Sequence, residues 1–252
     1  MSRRPSSQVF SAVAGQYARF RPDYPEAVYR TVAAAAGDHA CAWDCASGSG
    51  QAALGLARHF ERVIASDTSV AQLAAATPHP RIVRAASAAE RCALAGESVS
   101  LVAVAQALHW FDLPAFLAEA GPVLRPGGVF AVWSYARPRL DDPALQSAID
   151  DLHDGALGRF WRFDRAAVES GYRGWRVFAA RPRTCRFVIE RDWDVDALIG
   201  YLGTWSALAD CRASQGHDPL EPVAKRLRAH WGPGRRPVRW PVTLRLGWPA
   251  AA

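Results

Sequence analysis

Two carboxylates and a turn of small residues are the groups in this chain most suited to chemistry. Asp44 stands immediately before the run Cys45-Ala46-Ser47-Gly48-Ser49-Gly50, and Asp67 follows twenty-three positions after Asp44. The apolar residues Cys41, Ala42 and Trp43 read as a strand that delivers Asp44 to the turn, and residues 51–60 read as the helix that leaves it. A glycine-rich turn lets a ligand approach the backbone closely, because glycine carries no Cβ. The first turn of the helix behind it offers N–H groups without intrahelical partners. The acid selects the ligand: a pyrophosphate would be repelled by Asp44, whereas an ammonium group would be attracted. Asp67 closes the next apolar run, where nucleoside-binding α/β sheets place an acid that accepts hydrogen bonds from both ribose hydroxyls. An acid that merely ends a strand and caps a helix, beside Thr68 and Ser69, is the other reading.

The elements that must hold these groups follow a strand–helix rhythm. A helix over 25–36, with Pro25 in its first turn, precedes a strand at 40–44 and the helix at 51–60. Strands at 62–66, 82–85, 100–105 and 129–134 alternate with helices at 70–76 and 114–124, the last capped by Asp112 and closed by the turn Arg125-Pro126-Gly127-Gly128. The strand at 100–105 is apolar throughout, as a central parallel strand should be. The rhythm predicts an α/β fold with a doubly wound parallel sheet. Beyond Tyr135 it loosens: helix over 142–158, an aromatic-rich stretch over 159–175, a strand at 184–193, helices over 194–211 and 222–231, and a last strand at 238–247 that returns antiparallel. Three regions are expected: N-terminal helices forming a lid over 1–36 and beginning with a helix at 9–20, a ligand-binding core over 37–140, and a C-terminal portion over 141–252 that completes the sheet and adds a small helical cap.

Composition narrows the function classes. The 252 residues are 50% hydrophobic, enough for a substantial core. No run of about 18 uncharged apolar residues is present, which argues against a membrane span. The start Met1-Ser2-Arg3-Arg4-Pro5 lacks the apolar segment of a secretory signal, so the cytoplasm is the expected location. The net charge of +6 comes almost wholly from arginine, Lys225 being the single lysine, and the basic residues are dispersed. Their densest group, Arg235, Arg236 and Arg239, is short for a nucleic-acid surface, and no nucleic-acid partner is expected. The five cysteines form no C-x-x-C pair and the seven histidines show no ligand spacing, so no metal site is expected.

A dinucleotide dehydrogenase competes on spacing alone, since Gly48-Ser49-Gly50-Gln51-Ala52-Ala53 satisfies G-x-G-x-x-A. Asp44 opposes that reading, as does the length of chain ahead of the first strand. S-adenosylmethionine (SAM), which has an amino-acid end and no phosphate, suits the acid better. The chain resembles the class I SAM-dependent methyltransferases through Asp44–Gln51, Ala65-Ser66-Asp67, Ala89-Glu90 and Leu124-Arg125-Pro126-Gly127-Gly128. Within that class it is similar to the trans-aconitate methyltransferase-like subgroup, through Phe20-Arg21-Pro22-Asp23-Tyr24-Pro25, Ala105-Gln106-Ala107-Leu108-His109-Trp110-Phe111-Asp112 and Tyr201-Leu202-Gly203-Thr204-Trp205-Ser206-Ala207.

The resemblance implies a seven-stranded, mostly parallel, Rossmann-like sheet and SAM as cofactor. Asp44 would hold the methionine ammonium, directly or through water, and Ala46, Ser47, Gly48 and Gly50 would cradle the amino-acid portion. Asp67 would bind the ribose, with Thr68 beside the adenine and Ala89 and Glu90 edging it. Ala105 and Gln106 would lie under the methionine arm. Two residues depart from the family pattern. Ala46 replaces its first glycine, and an alanine methyl predicts a negative φ there. Ser100 replaces a frequent acid, in a structural position.

The acceptor is expected to be a small molecule, with carboxyl O-methylation of a small acid the sharper reading and O- or N-methylation of another metabolite its rival. A protein that binds SAM without catalysis is the reading of a different class. His109, at the end of the fourth strand, is the candidate general base or a pocket-lining residue. Trp110 with Phe111 reads as a pocket wall, and Arg21 and Tyr24 as parts of a lid over the crevice, with Tyr17 similarly placed; Arg21 could bind an acidic substrate bidentately or form a surface salt bridge that fixes the N-terminal helices. Tyr201 and Trp205 are expected one turn apart on a single helix facing the acceptor. Nothing in the sequence sets the oligomeric state.

Overall fold

The computed structural model describes residues 20–250, so the expected helix at 9–20 and Tyr17 lie outside the described residues. Its seven strands are β1 Cys41–Cys45, β2 Arg62–Asp67, β3 Ile82–Ala86, β4 Val99–Ala105, β5 Leu124–Tyr135, β6 Arg183–Trp193 and β7 Arg236–Gly247. They form one sheet in the order β3-β2-β1-β4-β5-β7-β6. The first five are parallel, and β7 runs antiparallel to both of its neighbours. The order reverses between β1 and β4, and the carboxyl ends of strands flanking such a reversal are where open α/β sheets bind ligands.

Side-chain alternation along the strands divides the core into two layers. Ala42, Leu101, Ala103, Ala131 and Trp133 face helix α1 (Glu26–Ala35) and helix α2 (Gln51–Leu56), together with helices from the C-terminal third. Trp43, Val102, Val104, Phe130 and Val132 face the other layer, with Phe116 and Tyr172. Trp43 is fully buried, and its indole N–H donates to Ser66 Oγ at 2.8 Å, which ties the ends of β1 and β2 together just below the turn. Ser100 has the structural role expected of it: its hydroxyl donates to Asp38.

The structure moves several boundaries. Helix α2 is six residues long rather than ten, the chain leaving helical geometry at Ala57. Helix α3 (Val70–Ala75) is capped by Ser69, and helix α4 (Leu113–Val123) by Asp112, whose carboxylate accepts Ala115 N–H at 3.4 Å. The turn expected at 125–128 is part of β5, which pairs with β4 from Leu124 onward through a register shift between Val99 and Leu101. Helix α5 (Pro143–Asp150) widens into π geometry over Asp151–Ala156, a distortion often found beside functional sites. Helix α6 (Arg165–Glu169) follows. The single helix expected over 194–211 is two, α7 (Val195–Gly203) and α8 (Ser206–Gln215), and α9 (Leu220–Trp231) precedes β7. Among the described residues no helix is long and apolar enough to cross a membrane. The basic group at the start of β7 is paired: Arg239 meets Asp141 and Glu190, Arg236 meets Asp142, and Arg235 donates to Asp192 O.

Candidate functional site

The chain between β1 and α2 passes over the sheet in a turn held by its own amides. Ser47 N–H donates to Ser66 O and Gly50 N–H to Ser47 O, both at 2.9 Å. Gly48 (φ +55°) has open space where a Cβ would stand, so nothing separates its backbone from a ligand. Gly50 (φ +84°) acts differently: an added Cβ would lie 3.2 Å from Ala76 Cβ, so it serves helix packing and does not face the cavity. Ala46 corrects the expectation for it. Its φ is +57°, so the methyl is accepted in left-handed geometry rather than excluding it. Left-handed geometry costs a non-glycine residue about 1–2 kcal/mol, partly offset on replacement by the greater unfolded-state freedom of glycine. Ala46→Gly should therefore raise the melting temperature by about 1–3 °C, read by calorimetry, and an unchanged or lower value would show no strain at this turn.

A cavity of about 190 Å³ opens over the turn. Ala46, Ser47, Gly48, Asp67, Thr68, Ala89, Glu90, Ala105, Gln106 and Trp110 all line it, so the structure brings together most of the residues selected from sequence. Arg21, Pro22 and Tyr24 close it from the N-terminal side, and Tyr135 and Phe111 add aromatic wall. Asp67 Oδ2 accepts Gly48 N–H at 2.9 Å and Oδ1 accepts Ser69 N–H at 2.8 Å. Burial pushes its pKa up, opposed by the N–H groups of Ser69, Gly48 and Thr68. Each oxygen keeps a lone pair for a ligand hydroxyl.

Asp44 lies beneath the turn rather than on the cavity wall, fully buried. Neither carboxylate oxygen has a well-formed hydrogen bond. Burial first, and then the charge of Asp67, push its pKa up to about 8; the Ala53 N–H in α2 opposes them only weakly. An unsatisfied acid in this position is costly to ionise alone. The Gln106 side chain is committed to β5, its Oε1 accepting Tyr135 N–H at 2.8 Å and its Nε2 donating to Tyr135 O at 3.2 Å.

A second, inner chamber of about 50 Å³ shares Arg21, Gln106, Trp110 and Tyr135 with the first. His109, Trp161, Phe163, Arg165, Tyr201, Thr204, Trp205 and Ser206 also line it. Tyr201 closes α7 and Trp205 precedes α8, so the expected one-turn spacing on a single helix does not occur; the break still leaves their rings 6.2 Å apart, edge to face. Arg21 Nη1 donates to Tyr135 Oη at 2.6 Å and Nη2 to Thr204 O at 3.2 Å, so Arg21 spans the boundary between the two spaces. His109 Nδ1 lies 2.9 Å from the Tyr172 hydroxyl. Burial, then Arg165 and Arg21, hold the imidazole well below its usual pKa. Burial pushes the Tyr172 phenol pKa up, so the hydroxyl stays protonated and holds the imidazole in place through Nδ1.

Residues 43–132 match the model of the methyltransferase domain family. A solved structure from Anaeromyxobacter dehalogenans, provisionally described as a type II methyltransferase, shares 44% identity over 92% of this chain and all of its own, with a TM-score of 0.82. The chain belongs to the class I methyltransferase family. A Dictyostelium discoideum protein provisionally named a methyltransferase is 27% identical over 226 residues, 86% of this chain and 84% of its own length. An uncharacterized methyltransferase of Mycobacterium tuberculosis is 36% identical over 142 residues, 55% of this chain and 57% of its own.

For this methyltransferase the fold family implies SAM, and the residues fit it: an orphaned buried acid under the turn, open backbone at Gly48, and Asp67 with acceptor capacity to spare. Sequence reasoning missed Tyr135, Trp161, Phe163, Arg165, Thr204 and Tyr172. The one signal available was the aromatic-rich stretch at 159–175, within which Trp161, Phe163 and Arg165 alternate.

Proposed function

We propose that this methyltransferase transfers a methyl group from SAM to the carboxylate of a small acid, as the resemblance to the trans-aconitate methyltransferase-like subgroup implies. The inner chamber carries this reading: among the described residues, the formally charged ones that line it are Arg21 and Arg165, and no described acid lines it. An all-cationic, largely aromatic enclosure attracts an anion and repels an amine acceptor in its protonated form.

Asp44, the turn at Ala46, Ser47 and Gly48, and Asp67 would hold the cofactor's ammonium, amino-acid portion and ribose, with Thr68, Ala89 and Glu90 around the adenine. The C-terminal helices would act as a cap over the acceptor. Bound there, the cofactor would supply a methyl on a sulfonium; a carboxylate oxygen that bonds to that methyl carbon as the C–S bond breaks would become a neutral ester and leave a thioether, with no proton to move. That balance asks no base of His109, which Tyr172 holds in place through Nδ1 on the chamber wall. Charge is neutralised along the way, so the dry aromatic wall assists rather than hinders. A hydroxyl or amine acceptor would instead need a base, and among the described residues His109 is the one imidazole lining the chamber.

The test is a panel of small carboxylic acids, phenols and amines incubated with methyl-labelled SAM. Methyl esters of acids should dominate the products, and label confined to phenols or amines would refute the carboxyl reading. Tight SAM binding with no product from any acceptor would favour a non-catalytic SAM-binding protein.

A further inference from the structure

We infer that Arg165 is the anchor for the acceptor's anionic group, taking a carboxylate into the inner chamber while the rest of the acceptor lies toward the larger crevice. This rests on the methyl-transfer reading above and assigns the residue that selects the substrate. Arg165 opens α6, and its side chain is only 15% exposed. Its burial disfavours the charge it must nevertheless keep. A buried guanidinium without a carboxylate on its open side is costly unless a ligand supplies one.

The acids near Arg165 are engaged elsewhere. Glu169 approaches no closer than 3.9 Å, and its two oxygens accept from Arg137 Nε at 2.8 Å and Nη2 at 3.1 Å. Arg137 also meets Asp150 at 3.1 Å and Asp154 at 2.5 Å, so the acidic groups of this region cluster around Arg137 and none of them lines the chamber. Arg21, the other cation, is not equivalent. It lies on both spaces, beside the turn that would hold the cofactor's amino-acid end, and its Nη groups already donate to Tyr135 and Thr204. Arg165 lines the inner chamber and not the larger cavity.

The guanidinium is also pre-positioned. Buried His153 gives its Nδ1 proton to Asp154 Oδ1 at 2.6 Å, which leaves Nε2 to accept Arg165 Nε–H at 2.9 Å. Trp161 lies under the guanidinium with 4.9 Å from its ring centre to Arg165 Cζ, and its indole N–H donates to His153 O at 3.1 Å. Fixing the Nε edge leaves the two Nη groups to receive a carboxylate end-on as a pair. Arg162 and Asp164 alternate away from this set, Arg162 pairing with Asp210 and Asp164 capping α6, so the segment places Trp161, Phe163 and Arg165 together. A chamber of about 50 Å³ admits a carboxylate and little more, which sets the body of the acceptor outside it.

Benzoate titrated into the protein saturated with S-adenosylhomocysteine tests the anchor, with tryptophan fluorescence as the readout because Trp110, Trp161 and Trp205 line the chamber. Saturable quenching is expected in the wild type, an affinity loss of about tenfold or more in Arg165→Gln, and a smaller loss in Arg165→Lys, which keeps the charge but not the fork. S-adenosylhomocysteine affinity should stay within about twofold in both variants, which also shows that they fold. Benzoate binding equally well to Arg165→Gln, or not at all to the wild type, overturns the anchor. If Arg165→Gln does not fold, Arg165→Lys decides: undiminished benzoate affinity overturns the anchor and a loss supports it. Should the wild type fail to bind S-adenosylhomocysteine and SAM, the methyl-transfer reading itself falls, which separates the two failures.

Discussion

Asp67→Ala should lower SAM affinity by at least about a hundredfold, to the point where calorimetry detects no binding at ordinary concentrations. The acid performs two tasks at once. Its oxygens pin Gly48 N–H and Ser69 N–H, which fixes the turn, and they face the cavity with acceptor capacity left for a pair of hydroxyls. Hydrogen bonds to a charged acceptor contribute about 1.5–3 kcal/mol each, so two lost ligand bonds alone give a factor of about 10² to 10⁴. Asp67→Asn separates the tasks. An amide oxygen can still accept one backbone N–H, so the turn should largely persist, while one ligand hydroxyl loses its acceptor. Binding of intermediate strength in the amide variant would support the division, and near-normal affinity in the alanine variant would remove Asp67 from the ribose altogether.

Local pattern carried the half of the fold that holds the cofactor, and tertiary context shaped the rest. Residues 41–105 are legible because parallel strands buried on both faces leave continuous apolar runs, and each run here ends on a residue with a polar or small-residue signal: Asp44, Asp67, Gln106. The stretch Pro126-Gly127-Gly128 carries every local mark of a turn, yet it lies within β5 because a register shift against β4 absorbs the irregularity. Gly203-Thr204-Trp205 gave no strong stop signal. The helix ends there because Thr204 N–H and Oγ both turn back to Tyr201 O while Thr204 O is taken by Arg21, a contact across 183 positions. Ala46 shows the limit of conformational preference: a left-handed alanine costs little beside the hydrogen bonds that fix the turn on either side. Arg165 was illegible for a different reason. Its chemistry depends on which acids Arg137 removes and which ring faces it, and those contacts are settled by how the C-terminal helices fold back over the sheet.

Asp44 links cofactor binding to proton release and to stability. With its pKa pushed up to about 8, the folded, ligand-free protein prefers the acid protonated, whereas the unfolded chain ionises it in the usual carboxylate range. A raised folded-state value stabilises the fold most below that range, and the benefit is lost as pH climbs from about 4 to 8, by up to about 1.4 kcal/mol per unit. Asp44→Asn removes the dependence. The melting temperature of the ligand-free variant should exceed that of the wild type by a margin that widens from pH 5 to pH 8. SAM reverses the preference, because an ammonium above the turn favours the carboxylate. Binding near pH 7 should then release close to one proton from the wild type, measured by calorimetry in buffers of different ionisation enthalpy, and markedly less from Asp44→Asn, which should also bind more weakly. An equal proton count in the two proteins would show that Asp44 does not ionise on binding and that the ammonium is held by other groups.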